Sequence, residues 1–322
     1  MSRSCHWCCS GRLNLSRALP RDGGRVSLLA FAAMLLACGM LLASAPVRAA
    51  GRAECRNAPS KILTHPVPYC VLLPPTYDAA KTSRYPVLYY FHGLGGDEQT
   101  LVSGGGWDLI QDLWDRHQIG EFIIVAPTAG RSFYINSRNG KVRYEDFLLR
   151  EFFPLIESHY RILPGRHNRG VTGMSMGGYG ALHIAFGHPE LFGSVSAHSP
   201  ALIAKLPRAQ FDSQDSFGVM RLLGSAFGNP FDPPFWERNS PFTIVRDGPR
   251  PTGLAIYFDC GTEDDFGFYN GAKAFHDLLD SRHIPHEFHL YPGRHDWPYF
   301  AEHFPASLAF HSRAFGLHPD TR

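Results

Sequence analysis

Residues 171–180 read Val-Thr-Gly-Met-Ser-Met-Gly-Gly-Tyr-Gly, and the interpretation of the whole chain starts from them. Their centre matches the pattern G-x-S-x-G, in which a serine is held on a sharp turn between a strand and a helix. Because such a turn strains the serine backbone, the neighbouring residues must be small enough for strand and helix to pass closely. Ser175 is therefore a candidate nucleophile. The alternative is a glycine-rich turn with an incidental serine.

The flanking sequence favours the strand, turn and helix arrangement. Residues 169–172 include β-branched side chains, and residues 180–186 are small or apolar, as in a packed helix. From residue 66 onward, short apolar runs alternate with amphipathic stretches, a pattern typical of an α/β fold with a mostly parallel sheet between two helical layers. The pattern predicts strands near 68–73, 86–91, 122–127, 169–174, 194–196, 254–259 and 287–291, and helices near 107–116, 145–159, 178–186, 272–282 and 297–315.

Composition limits the classes of protein to consider. The chain has 322 residues, of which 44% are hydrophobic, enough for one large α/β domain or two smaller ones. A net charge of +2 with 19% charged residues gives no basic excess, so no nucleic-acid partner is predicted. The cluster Cys5, His6, Cys8 and Cys9 lacks a second ligand pair at suitable spacing. We predict neither a metal nor an organic cofactor.

The first 50 residues have the features of an export signal. An apolar run over 26–45 is followed by Val47-Arg48-Ala49, which supplies small residues at the −3 and −1 positions of a cleavage site. We expect cleavage near Ala49 and Ala50, an exported mature chain without stable membrane insertion, and one catalytic domain over 51–322. A retained membrane anchor is the alternative, because the apolar run is about long enough to span a bilayer.

Three of the seven cysteines lie beyond the expected cleavage site. In an oxidising compartment Cys55 and Cys70 could form a disulfide that tethers the mature N-terminus, which would leave Cys260 free and buried at a strand end. Farther along, residues 200–250 are dense in turn formers and aromatic side chains. This segment is either a lid-like insertion that covers an active site or a plain surface excursion.

A serine hydroxyl needs a histidine base, and that histidine needs a carboxylate that fixes its tautomer. On a parallel α/β sheet with this kind of nucleophile turn, the order along the chain is serine, acid, histidine. His295 fits this order, because it follows a strand and a glycine loop near the end of the chain. His283, His286 and His289 are instead interpreted as half-buried or surface residues. The acidic loop that ends the preceding strand offers four candidate acids: Asp259, Glu263, Asp264 and Asp265.

Residues 89–97, Tyr-Tyr-Phe-His-Gly-Leu-Gly-Gly-Asp, have the form of a loop that supplies a backbone N–H to an oxyanion hole. The second N–H comes from the residue after the nucleophile. By position the two donors are Leu94 and Met176. A phosphate-binding loop is not supported, since no G-x-x-x-x-G-K-[ST] pattern is present.

The motifs at 90–96, 173–182, 259–264 and 293–297 resemble those of the esterase D family of α/β-hydrolases, and the resemblance extends over about 67–315. It implies that the acid is the second aspartate of a D-x-G-x-x-D loop, which is Asp264, and hence a triad of Ser175, Asp264 and His295. The implied activity is hydrolysis of carboxylic esters through an acyl-enzyme, with a small-molecule or carbohydrate-linked ester as substrate.

The same machinery would also suit an acyltransferase or a thioesterase similar to S-formylglutathione hydrolases. Expected export weighs against glutathione thioesters, because those members of the family are cytosolic. A non-catalytic binding protein on the same fold is a further alternative.

Overall fold

The computed structural model describes residues 50–205 and 223–317, which lie within one compact unit, Ala49–Arg322. The expected export signal and the alternative anchor at 26–45 lie outside the described residues, as does the 206–222 part of the predicted insertion. Across the described residues we find no helix with the length and apolar character that a bilayer span requires.

The described strands form one eight-stranded sheet in the order β1-β2-β4-β3-β5-β6-β7-β8. Strand β2 pairs antiparallel with both β1 and β4, and all pairings from β4 to β8 are parallel. The strands are β1 (Arg52–Ala58), β2 (Val67–Leu73), β3 (Val87–Phe91), β4 (Ile123–Pro127), β5 (Arg169–Met174), β6 (Ser194–His198), β7 (Ala255–Gly261) and β8 (Glu287–Tyr291).

Helices cover both faces of this sheet. Those within the described residues are α1 (Thr100–Ser103), α2 (Gly106–Asp115), α3 (Tyr144–Phe147), α4 (Phe153–His159), α5 (Met176–Gly187), α6 (Pro233–Asn239), α7 (Pro241–Asp247), α8 (Phe268–Ser281) and α9 (Trp297–Ala314). A π-helical turn, Leu148–Phe152, joins α3 to α4, and a 3-10 turn, Arg166–Asn168, precedes β5.

Alternate side chains of the central strands fill two separate cores. Tyr89 of β3 packs in the core beneath α3, α4, α5 and α8, whereas its neighbour Tyr90 packs in the core beneath α2 and α9. Every residue of β3 and β4 is buried, as expected for parallel strands covered on both faces. This three-layer arrangement confirms the predicted α/β-hydrolase fold.

The predicted strands are confirmed to within two residues at each end, and each predicted helix corresponds to a helical segment. The pattern missed β1, whose sequence Arg-Ala-Glu-Cys-Arg-Asn-Ala is largely exposed at the sheet edge and lacks an apolar run. A disulfide joins Cys55 of β1 to Cys70, its register partner in β2, with 4.0 Å between the Cα atoms. Cys260 is free and buried. The predicted pairing of the cysteines is therefore confirmed.

A buried polar cluster lies between β6 and α9. His311 is fully buried, with its Nδ1 2.8 Å from Ser194 Oγ and its Nε2 2.9 Å from Ser196 Oγ. Burial lowers the pKa of His311 to about 3, and repulsion from His198 acts in the same direction. The imidazole is therefore neutral at neutral pH, and both of its nitrogens have hydroxyl partners.

This histidine should make the protein sensitive to acid. Because its folded-state pKa lies below the unfolded value of 6.5, its contribution to stability is complete above pH 6.5 and is lost as pH falls toward 3. We expect the free energy of unfolding to fall by about 2 kcal/mol between pH 7 and pH 5 on account of this group. Urea unfolding at both pH values should show a smaller fall for His311→Gln than for wild type. An equal fall in both proteins would show that His311 is not the source of this acid sensitivity.

Candidate active site

The turn between β5 and α5 has the strained geometry that the motif predicts. Ser175 has φ 55° and ψ −116°, a conformation that side chains rarely adopt, and α5 begins at the next residue. A Cβ atom on Gly177 would lie 2.0 Å from the carbonyl oxygen of Phe91, and one on Gly173 would lie 2.2 Å from that of Gly177. Both positions therefore require glycine, which confirms the steric reason for the motif.

Backbone hydrogen bonds fix the serine in this position. The Ser175 N–H donates to the carbonyl of His198 at the end of β6, at 2.9 Å. The Ser175 carbonyl in turn accepts from the N–H of Ala201, at 3.0 Å. The half-buried serine is thus held by the neighbouring strand and the segment that follows it.

His295 and Asp264 are in direct contact. The loop after β8 places His295 Nδ1 2.6 Å from Asp264 Oδ2, which belongs to the loop after β7. Burial alone would raise the pKa of Asp264, but the hydrogen bond and charge attraction of His295 outweigh it, aided by the N–H groups of Phe266 and Phe268. The pKa of Asp264 therefore lies below its usual value, so this buried carboxyl is ionised at neutral pH.

The structure separates the four candidate acids. Asp265 is exposed and forms an ion pair with Arg294, and Glu263 is exposed as well. Asp259 is buried beside His198 and accepts a hydrogen bond from Tyr299. Asp264 is the candidate acid in contact with the His295 ring. It also accepts a hydrogen bond from the N–H of Phe268, the first residue of α8, at 3.2 Å.

The loop after β3 is ordered by its histidine. His92 Nε2 accepts from the N–H of Ala129 at 2.9 Å, so Nδ1 carries the proton that it donates to the carbonyl of Gly93, at 2.7 Å. Burial lowers the pKa of His92, which keeps this neutral form. Because a trans peptide directs its N–H opposite to its carbonyl, the Leu94 N–H points away from the His92 ring.

Ser175 and His295 line the same cavity, which has a volume of about 820 Å³. Leu94 and Met176 are also in its wall, so four of the five predicted site residues line one cavity. The fifth, Asp264, contacts His295. The remaining wall is mostly apolar. Its aromatic members are Phe133, Tyr179, Trp236, Phe266 and Phe268.

The described parts of the predicted insertion contribute to this wall. Ala201, Leu202 and Trp236 line the cavity. Helix α6 is anchored on α5, because Tyr179 Oη and His183 Nδ1 both donate to the carbonyl of Asn239, at 2.7 and 2.8 Å. The segment on either side of 206–222 is therefore adjacent to the candidate nucleophile.

A second set of serine, histidine and aspartate side chains lies in the protein core. Ser194 contacts His311, whereas Asp259 contacts a different histidine, His198, with 2.8 Å between Asp259 Oδ2 and His198 Nδ1. All four side chains are inaccessible to solvent, and none lines the cavity of Ser175. A substrate carbonyl could not reach them, so we interpret this set as structural.

Sequence reasoning missed the aromatic side chains around His295. Phe266 and Phe268 stack on each other, with ring centres 5.4 Å apart, and the planes of both rings are nearly perpendicular to that of His295. Phe266 is 59% exposed. The available signal in the sequence was a pair of phenylalanines directly after the acidic loop.

A family model described as "Putative esterase" matches residues 60–311 of this chain. The chain is also similar to Esterase Rv1288 of Mycobacterium tuberculosis, with 32% identity over 249 residues. That alignment covers 70% of this chain and 51% of the relative, so the chain spans about half the length of the curated relatives it matches.

Solved structures show the same fold. A ferulic acid esterase superposes with a TM-score of 0.70 and 27% identity, covering 83% of this chain and 99% of that chain. An S-formylglutathione hydrolase from Agrobacterium tumefaciens superposes with a TM-score of 0.67 and 20% identity, covering 83% and 97% of the two chains. With the family model matching most of its length, this chain belongs to the esterase family of α/β-hydrolases.

Proposed function

We propose that this protein hydrolyses carboxylic esters with Ser175 as nucleophile, His295 as base and Asp264 as the acid that orients the base. One observation carries the proposal: Ser175, on a strained turn, and His295 line the same cavity, and His295 is hydrogen-bonded to the buried Asp264. Family membership and the esterase relatives support the same activity.

The proposed reaction follows from the tautomer that Asp264 selects. An ionised carboxylate at Nδ1 keeps the proton on that nitrogen, so Nε2 of His295 can take the proton of the Ser175 hydroxyl. Ser175 Oγ then bonds to the ester carbon. The C–O bond to the alcohol breaks, and the alcohol leaves with the proton from Nε2. Water, deprotonated by the same nitrogen, cleaves the acyl-enzyme to release the acid and restore the hydroxyl.

Negative charge on the carbonyl oxygen would be stabilised by the N–H groups of Leu94 and Met176. Met176 is the first residue of α5, so its N–H has no partner within the helix and lies at the positive end of the helix dipole. Leu94 is held by the His92 to Gly93 hydrogen bond, which fixes the peptide plane before substrate arrives. Fixed donors of this kind stabilise the transition state without reorganisation.

The cavity supports a small-molecule or carbohydrate-linked ester as substrate. Its volume and its apolar, aromatic wall suit the burial of an acyl group. Part of that wall comes from the 200–250 segment, and we propose that this segment covers the site. The similarity to a ferulic acid esterase makes aromatic acyl groups a specific case to examine.

A panel of p-nitrophenyl acetate, p-nitrophenyl butyrate, methyl ferulate and S-formylglutathione, given to the purified protein, tests the proposed activity. We expect turnover of at least one oxygen ester, with S-formylglutathione the poorest substrate. Adding a sugar alcohol and analysing the products by mass spectrometry would separate hydrolysis from acyl transfer. Absence of turnover with every ester would favour a binding protein on the same fold.

We further propose that the protein works outside the cytoplasm. The disulfide between Cys55 and Cys70 supports this, because such bonds persist in oxidising compartments. We expect mass spectrometry of the protein from its native host to show a new N-terminus near Ala50 and no free thiol at either cysteine. Recovery of the full-length, reduced chain from the cytoplasm would contradict export and return glutathione thioesters to consideration.

A further inference from the structure

Two histidines and an aspartate meet at the C-terminal end of α8, remote from the cavity. His276 and Asp280 are four residues apart on one face of the helix, and His286 lies just before β8. One potential ligand atom from each lies within 4.8 Å of those of the other two. We propose that these three side chains form a binding site for a divalent transition-metal ion such as Zn²⁺.

Hydrogen bonds show that His286 is prepared as a ligand. Its Nδ1 lies 2.8 Å from the carbonyl of Ile284, which can only accept, so Nδ1 carries the proton and Nε2 of the neutral ring has a free lone pair. A histidine that ligates a metal commonly donates its other N–H to a backbone carbonyl in this way. Packing fixes the ring as well, because it stacks on Phe258 with 5.7 Å between the ring centres.

The lone pair of His286 is directed at His276. His286 Nε2 lies 2.7 Å from His276 Nδ1, so a single proton joins the two rings in the absence of an ion. A metal ion would take the place of that proton, and the His276 ring would then carry its proton on Nε2, which keeps it a neutral imidazole ligand. Two nitrogens bound at about 2.1 Å to a tetrahedral ion are roughly 3.4 Å apart. The two rings, now 2.7 Å apart at these nitrogens, would therefore have to separate by about 0.7 Å. His276 has the space for this movement, because its side chain is 32% exposed.

Asp280 supplies the third ligand and the charge. Its carboxylate lies 4.0 Å from His286 Nε2 and 3.5 Å from Nε2 of His276, the ring nitrogen that does not bind the ion. With 63% of its side chain exposed, Asp280 can turn toward an ion between the rings. Two imidazoles and one carboxylate are a set that suits Zn²⁺ and its neighbours, with water at the remaining position. Calcium and magnesium, which prefer oxygen ligands, fit this set poorly.

The position indicates a structural ion. Helix α8 follows the loop of Asp264, and β8 leads to the loop of His295, but the three ligands lie at the other end of these elements and none lines the cavity. A bound ion would tie the end of α8 to the start of β8. It should therefore raise thermal stability while leaving ester hydrolysis unchanged.

The test uses tag-free purified protein, treated with a chelator and titrated with Zn²⁺ by calorimetry. We expect one ion per chain and a rise in melting temperature of several degrees with excess zinc. Because loss of a residue that merely supports a ligand costs 10- to 100-fold in affinity, His276→Gln and Asp280→Ala should each weaken binding at least about tenfold. Asp280→Ala should keep its esterase activity.

Asp277→Ala is the matched control. Asp277 lies one turn before the end of the same helix, is 60% exposed, and pairs with Lys273 instead of the histidines, so its loss should leave zinc affinity unchanged. Binding of Co²⁺ should give visible absorption bands that disappear in His276→Gln. The proposal is overturned if wild-type protein binds no zinc, or if zinc binds equally well to His276→Gln and Asp280→Ala.

Discussion

Replacing Ser175 with alanine is expected to lower kcat for p-nitrophenyl acetate by a factor of about 10⁴ to 10⁶. The substitution removes the oxygen that we propose attacks the ester carbon, and among the described residues that line the cavity no other hydroxyl stands on a strained turn at the start of a helix. Alanine keeps the Cβ atom, and the hydrogen bonds that hold this residue are made by its backbone. Circular dichroism and the melting temperature should therefore match those of wild type.

His295→Ala is the companion variant. Since a nucleophile and its base act as one unit, its loss should cost a similar factor, and the double variant should be no slower than either single one. Steady-state rates for all three proteins, measured on one substrate, would check this. A Ser175→Ala variant with a tenth of wild-type activity would remove Ser175 from the mechanism, and losses that multiply in the double variant would mean that the two side chains act separately.

Local sequence signals predicted most of the fold and the approximate position of the site. The central strands are apolar runs because both of their faces are buried, and this leaves a clear pattern in the chain. The nucleophile turn is predictable for a related reason, since the close approach of Gly177 to Phe91 allows only glycine. Where steric contacts restrict a position to one residue type, that residue type in the sequence indicates the local backbone conformation.

The features that the sequence did not reveal depend on contacts between distant segments. Strand β1 is exposed on most of its length and is defined by its pairing with β2, so it has no apolar pattern of its own. The buried hydroxyl partners of His311 come from a strand more than a hundred residues earlier in the chain. His286, interpreted from the sequence as a half-buried or surface residue, is half-buried as expected, but its contact with His276 was not predictable from spacing.

The identity of the acid was open on residue pattern alone, because four carboxylates follow one strand. The family resemblance favoured Asp264, and the contacts of the two neighbouring aspartates support that proposal. The loop turns so that Asp264 faces inward to His295, while its neighbour Asp265 faces outward to Arg294. Two adjacent residues cannot both reach one imidazole from the same side, so a mutational comparison of the two aspartates is decisive.

Asp264→Asn should lower kcat by roughly 10⁴, the scale known for the equivalent change in another serine hydrolase. One carboxylate oxygen of Asp264 accepts from the N–H groups of Phe266 and Phe268, at 2.9 and 3.2 Å. An asparagine would keep its oxygen on these donors and turn its NH₂ group toward His295 Nδ1. That nitrogen would then have to accept, which places the ring proton on Nε2 and leaves it unable to take the proton of Ser175.

Asp265→Asn is the control for this effect, since it makes the same chemical change one residue away. Its carboxylate is exposed and paired with Arg294, and its contact with the His295 backbone N–H is long, at 3.4 Å. We expect kcat to change less than about tenfold, because the ring tautomer of His295 is unaffected. Both variants should be assayed at one pH with one ester, after thermal melts show that each is folded. The reverse order of activities would assign the acid to Asp265, and two nearly silent variants would exclude both aspartates.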